Sequence, residues 1–166
     1  MNQTPSLVLA FIETAEGAFL AGYSAHGLAR LEFPRAEHAR IKPSPLVGAA
    51  KQWHRQTVAA LKRALKGQPL DALPPLDLST GTKFQQQIWG AMRNIPVGQT
   101  LSYGGIARAA GKPGAARAAG GACGANPIPV LVPCHRVVAA GGKLGGFSSP
   151  MAWKVKLLDR EGWSPA

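Results

Sequence analysis

The sequence predicts a mixed α/β chain in two parts: a small antiparallel sheet with one long helix, then a helical part built on a helix-turn-helix. Three features carry that prediction. Short apolar segments separated by turn residues crowd the chain before Pro34, a single long stretch at helical spacing follows, and two short helix patterns flank a glycine-bearing turn further on.

The apolar segments, about Leu7–Ile12, Ala18–Tyr23 and Leu28–Phe33, are divided by Ala15-Glu16-Gly17 and Ala25-His26-Gly27, the turn chemistry of an antiparallel meander. Pro34 to Pro45 reads as a loop. From Leu46 to Lys66, Val47, Ala50, Trp53, Thr57, Leu61 and Leu65 repeat at helical spacing, with Lys51, Arg55, Lys62 and Lys66 off that face. Trp53 is then core and the lysines are a solvated face. Gly67 to Thr80, with Pro69, Pro74 and Pro75, is the expected linker, which divides the chain into residues 1–78 and 79–166.

Beyond the linker, Thr82 can cap a helix over Lys83 to Arg93 with Phe84, Ile88 and Met92 inward, and Ile95-Pro96 ends it. Ser102 can cap Tyr103 to Ala110. Gly111-Lys112-Pro113-Gly114 then turns the chain into a helix from Ala115 to Cys123, which completes a helix-turn-helix pattern. That second helix is nearly bare of side chains except for Arg117, a lone cation well placed to meet nucleic acid, since small residues allow close approach to a surface. Gly141 to Ser149 reads as a turn and loop. Pro150 fits the first turn of a last helix bearing Trp153, Leu157 and Leu158, with Glu161 near its end.

Nineteen Lys and Arg against eight Asp and Glu give a formal charge of +11, which favours a polyanionic partner. Cys123 and Cys134 make no disulfide framework and suggest reduced thiols in a cytosolic setting. His26, His38 and His54 stand without a partnering cysteine, so no metal site is expected. Leu7–Ile12 is too short for a membrane span and lacks the basic region of a signal peptide. The expectation is a soluble cytoplasmic protein with no membrane partner.

The stretch most suggestive of chemistry is Asn-Pro-Ile-Pro-Val-Leu-Val-Pro-Cys-His-Arg-Val-Val, from Asn126 to Val138. Ile128 to Val132 is apolar enough to be buried, and Pro133 stops any helix from running through, so Cys134 is held on stiff backbone. His135 and Arg136 beside it supply the electropositive surroundings that lower a thiol pKa, and only the thiolate is a nucleophile. Cys134 is therefore expected to titrate below a free cysteine. Cys123, with no basic neighbour in sequence, reads as a packed core thiol.

Pro133-Cys134-His135-Arg136-Val137 resembles the active-site motif of the O6-alkylguanine-DNA alkyltransferases, joined by Asn126-Pro127 upstream, by Ala115-Ala116-Arg117-Ala118, and by Glu161-Gly162. The resemblance covers about Phe84 to Gly162. It implies a ribonuclease-H-like N-terminal domain and a winged-helix-like C-terminal domain. The activity it implies is that of a suicide enzyme, a methylated-DNA–protein-cysteine S-methyltransferase, which takes the alkyl group of O6-alkylguanine, and of O4-alkylthymine, onto its own cysteine once. The implied partner is double-stranded DNA carrying the lesion, docked through the minor groove by a monomer, and no cofactor is implied. Some members hold zinc through N-terminal cysteines. No cysteine precedes Cys123 here, so no zinc is expected.

By the same resemblance Cys134 is the alkyl acceptor, His135 a water-linked base, Glu161 the carboxylate that orients His135, and Asn126 a brace of the turn around the thiol. Tyr103 would crowd the phosphate and protonate the departing guanine, and Arg117 would fill the base stack. Ser102, Gly104, Lys112 and Ala115 join Arg117 and Tyr103 at the DNA, while Val137, Phe147 and Ser148 form the substrate pocket. Three departures stand out: Phe147 replaces a frequent tyrosine, Ser149-Pro150 a glycine-rich step, and Gly124 an arginine that many members carry. Two other readings stay open. A cysteine hydrolase would use Cys134, His135 and Glu161, although sequence-adjacent Cys and His rarely point at each other. A helix-turn-helix regulator or lesion sensor would need no cysteine.

Overall fold

The apolar segments pair as expected, into β1 (Val8–Thr14), β2 (Gly17–Tyr23) and β3 (Leu28–Glu32), an antiparallel sheet in that spatial order. The computed structural model describes residues 6–166, so residues 1–5 of the expected first part lie outside it. The central strand β2 is buried from Phe19 to Tyr23, whereas β1 buries only Ala10 and Ile12 in alternation, the pattern of a strand with one covered face.

Helix α1 (Gly48–Leu65) packs against β1 and buries Thr57, Ala60, Leu61 and Leu65, with Trp53 partly buried against the core. Val47 departs from its expected inward place. It precedes the helix in extended conformation and is 71% exposed, because helical spacing has no meaning for a residue outside the helix. The expected loop from Pro34 to Pro45 contains a short 3-10 turn at Ala36–Arg40.

The expected linker is pinned rather than free. Leu28 N donates to Pro75 O at 2.8 Å and Asp77 N to Leu28 O at 2.8 Å, so Leu76 bridges in parallel to β3 at the sheet edge. Asp77 is buried and accepts from the hydroxyls of Ser24 and Ser79, both at 2.5 Å. Gly27 makes this approach possible, since a Cβ there would lie 2.2 Å from Pro75 O.

Helix α2 (Lys83–Met92) starts at a complete capping box: Thr82 Oγ1 accepts from Gln85 N, and Gln85 Oε1 accepts from Thr82 N. It buries Trp89 as well as Ile88 and Met92. Two-residue strands β4 (Leu101–Ser102) and β5 (Val137–Val138) pair in parallel, and this pairing brings the chain after Cys134 beside the start of α3 (Tyr103–Ala109). Ser102 caps α3 by accepting from Gly105 N at 3.0 Å. After the Gly111–Gly114 turn comes α4 (Ala116–Gly124), and the last helix is α5 (Met151–Arg160).

One apolar core runs through sheet and helices alike. Trp153 of α5 stacks on Phe33 at 4.9 Å between ring centroids and meets Phe19 edge-on at 5.4 Å, and Phe33 meets Phe147 at 6.0 Å. Among the described residues no helix is long and apolar enough to cross a membrane.

Candidate active site

Cys134 opens a 3-10 turn, Cys134–Arg136, directly after the apolar run, and its side chain is buried with 6% of the residue exposed. Ile128 to Val132 does not form a strand. It makes a tight turn in which Val130 has φ +74°, the one non-glycine residue with positive φ among the described residues. A β-branched residue rests there only if its neighbours over-determine the turn. Asn126 supplies that: its Nδ2 donates to Val132 O at 2.8 Å and its Oδ1 accepts from Ile128 N at 3.0 Å, while Val132 N reaches Ile128 O at 2.9 Å. Leu31 N of β3 also donates to Pro127 O at 2.9 Å, so the sheet edge holds the same turn.

Behind the thiol lies a closed polar network. His135 Nε2 is 2.9 Å from Glu161 Oε1. Arg136 grips the same carboxylate through Nε and Nη2, the latter at 2.8 Å, and its Nη1 donates to Ile95 O at 2.7 Å. Burial pushes the Glu161 carboxyl up, but the bonds and charges of His135 and Arg136 outweigh it and hold the group at about 2. Burial pushes His135 below the ordinary histidine range despite Glu161. A neutral imidazole that gives Nε2–H to a carboxylate carries its lone pair on Nδ1, and this Nδ1 is buried with no hydrogen-bond partner among the described residues.

The expectation of a lowered thiol pKa is corrected here. Burial pushes Cys134 above the ordinary thiol value, and the bond from Asn126 and the charge of Lys154 offset this only in part. Nor is the cation near the thiol one of its sequence neighbours: His135 is neutral and Arg136 is engaged by Glu161. It is Lys154 of α5, 1% exposed, whose Nζ donates to Val137 O and Gly146 O at 2.8 Å each. Sequence reasoning passed over Lys154, yet a signal was present, because Lys154 lies at i, i+3 and i+4 with Leu157 and Leu158 on the buried face of α5.

Cys134 lines a cavity of about 260 Å³ together with Tyr103, Phe147, Ser148, Gly120, Gly124 and Gly146. Cys123 lines it too, although its sulfur packs 3.7 Å from Met92 Sδ and burial pushes its thiol up to about 12. Larger clefts of about 1000 and 750 Å³ contain neither thiol, so size alone does not point to the chemistry. Val137 falls outside the cavity wall: its side chain is fully buried and its carbonyl is taken by Lys154.

Tyr103 begins α3 with its ring facing Gly120 of α4, and its hydroxyl donates to Gly146 O at 3.5 Å and accepts from Gly146 N at 3.3 Å. Burial raises its pKa above that of a free phenol. Arg117 stands exposed in the first turn of α4, Lys112 exposed in the preceding turn, and Ser102, Gly104 and Ala115 are half-buried along the same helix-turn-helix. The structure thus puts Cys134 and Tyr103 on one cavity wall, joins His135 to Glu161 behind the thiol, uses Asn126 to brace the turn that carries it, and leaves Arg117 on the outer surface.

Residues 83–163 match the family described as "6-O-methylguanine DNA methyltransferase, DNA binding domain". The bifunctional transcriptional activator/DNA repair enzyme Ada of Escherichia coli is 43% identical over 129 residues, 78% of this chain and 34% of that protein. A methylated-DNA–protein-cysteine methyltransferase of Salmonella typhimurium is 47% identical over 95 residues, 57% of this chain and 56% of that one. The aligned segments thus span about a third to about half of these curated relatives. Among solved structures, Mycobacterium tuberculosis OGT in complex with DNA superposes with a TM-score of 0.75 at 36% identity, covering 93% of this chain and 92% of that one.

Proposed function

Because the chain belongs to the O6-methylguanine-DNA methyltransferase family, we propose that it repairs DNA by moving the alkyl group of O6-alkylguanine, or of O4-alkylthymine, onto its own Cys134, once per molecule. The observation that carries this reading is a buried thiol on the wall of a small cavity, with a neutral histidine beside it whose far nitrogen is held by a carboxylate.

The reaction follows from that arrangement. His135 Nδ1 takes the Cys134 proton through a bridging water, so the thiolate forms only where Lys154 and Asn126 can stabilise it. The Sγ–carbon bond forms as the carbon–O6 bond breaks, and the electron pair leaves with guanine. Tyr103 protonates the departing base, and the proton lost by the thiol balances the one gained by guanine. The product thioether has no acyl carbon for water to attack, so Cys134 is not restored.

Entry of the base requires extrusion from the duplex. Arg117 fills the vacated stack, Tyr103 crowds the phosphate, and Ser102, Gly104, Lys112 and Ala115 approach the backbone of the minor groove. Phe147 forms an aromatic wall and backbone groups of Ser148 read the base, while Val137, with its carbonyl held by Lys154, backs the site rather than lining it. Residues 1–78 serve as scaffold and 79–166 as the DNA-binding part, in a cytoplasmic monomer that needs no cofactor. Intact mass after mixing with duplex DNA containing O6-methylguanine tests the reading. One methyl gained on the Cys134 peptide, with guanine restored, is expected, and Cys134→Ala should lose transfer yet keep lesion binding. More than one lesion repaired per molecule, or repair by Cys134→Ala, overturns it.

A further inference from the structure

Glu161 is the residue just after α5, its N–H still bonded to Leu157 O at 3.2 Å, so its carboxylate moves with the last turn of that helix. Its carboxylate is 2.9 Å from His135 Nε2, and a shift of about 1 Å would leave no hydrogen bond. Something outside α5 must therefore hold its last turn.

The sheet part of the chain does so. Glu16 lies in the two-residue turn between β1 and β2, stiffened by Thr14 Oγ1, which accepts from Glu16 N at 3.1 Å and donates to Gly17 O at 2.7 Å. Its carboxylate takes both ends of the Arg160 guanidinium, Nη1 at 2.8 Å and Nη2 at 2.5 Å, and Lys156 Nζ at 2.8 Å. Arg160 Nη1 donates also to Leu65 O at 2.9 Å, at the end of α1. Gly67, at φ +69°, closes on the same turn so tightly that a Cβ would lie 2.1 Å from Arg160 O. The bidentate fork fixes orientation as well as distance.

We propose that Glu16 and Arg160 are positioning residues for alkyl transfer, holding the last turn of α5 so that Glu161 keeps His135 in the tautomer that takes the thiol proton; this rests on the reading of Cys134 as alkyl acceptor. The Arg160 hydrogen bond and charge hold the Glu16 carboxyl at about 2, so the tie stays ionised at every pH where transfer is measured.

The experiment compares Glu16→Ala, Glu16→Gln and the exposed control Lys51→Ala, each in wild-type and Glu161→Gln backgrounds. It reads benzyl transfer from free O6-benzylguanine, which needs no DNA, together with the imidazole nitrogen shifts of His135 and the melting temperature. Glu16→Ala should slow transfer on the order of tenfold and move the His135 signals, and Glu16→Gln, which can still accept from Arg160, should recover part of the rate. In Glu161→Gln the Glu16→Ala change should add less than about twofold, since its effect passes through the missing carboxylate. A lowered melting temperature with unchanged rate and His135 signals overturns the proposal, as does a full multiplicative loss in the Glu161→Gln background. Should the wild type transfer no benzyl group, the alkyl-transfer reading fails by itself. The His135 signals then decide the tie: moved by Glu16→Ala they support it, unmoved they overturn it.

Discussion

Lys154 is the residue whose place alters most how the thiol is understood. An ammonium at 1% exposure is costly unless its donors are met, and Val137 O and Gly146 O meet two of them. Burial lowers its pKa, while the two thiols pull the other way because their charged forms favour the ammonium. The charge therefore matters most when Cys134 ionises. Lys154→Met keeps much of the side-chain volume but removes the charge, so Cys134 should ionise at higher pH and benzyl transfer should slow by roughly tenfold, one pKa unit's worth. Rates measured across pH check this; an unshifted profile would show that the lysine only ties two carbonyls together.

At the scale of elements, the residue proposed to read DNA and those proposed to carry the chemistry sit on different parts of the chain. Arg117 is exposed on α4, while the thiol, His135 and Glu161 belong to the turn after Pro133 and to the end of α5. The two halves of the task should then fail independently. Arg117→Ala is expected to slow repair of a lesion in duplex DNA by tenfold or more, on the order of the few kcal/mol that extrusion costs, and to leave the rate with free O6-benzylguanine within about twofold. Single-turnover kinetics on both substrates decide it, and equal losses would assign Arg117 to holding α4 rather than to the base stack.

For the whole molecule, two carboxylates join distant parts of the chain: Glu161 ties α5 to the active-site turn, and Glu16 ties the β1–β2 turn to α5. Both are held at about 2 in the fold against an ordinary value of 4.5. A depressed folded pKa gives stability that is complete above the unfolded value and is lost as pH falls through the folded one. Melting temperature should thus hold level above about pH 5 and drop between about 5 and 2. Glu161→Gln should flatten that limb, more than Glu16→Gln, since Glu161 has 3% of its side chain exposed and Glu16 has 21%. At neutral pH, Glu161→Ala should destabilise by about 3–5 kcal/mol by leaving Arg136 and His135 buried without their carboxylate. Thermal melts across pH test both, and an acid limb of the same slope in wild type and Glu161→Gln would assign the limb to other groups.

Local signals carried much of this protein. Thr82 with Gln85, Ser102 before Tyr103, and the glycine turns of the meander speak through neighbours a few residues apart, so their elements are legible in the chain itself. The Pro-Cys-His-Arg-Val string likewise pointed to Cys134. Tertiary structure alone decided the chemistry's surroundings, because desolvation and charge depend on what lies near in space. Burial moved the thiol pKa up where the neighbouring basic residues suggested down. Arg136 turned away to Glu161, and Lys154, from a helix that begins well past the motif, became the cation whose charge favours the thiolate. The linker-like run at residues 67–80 was claimed by a sheet edge whose free N–H and C=O groups at Leu28 needed partners. Each of these is a long-range pairing whose strength is set by water exclusion, a quantity no stretch of sequence holds by itself.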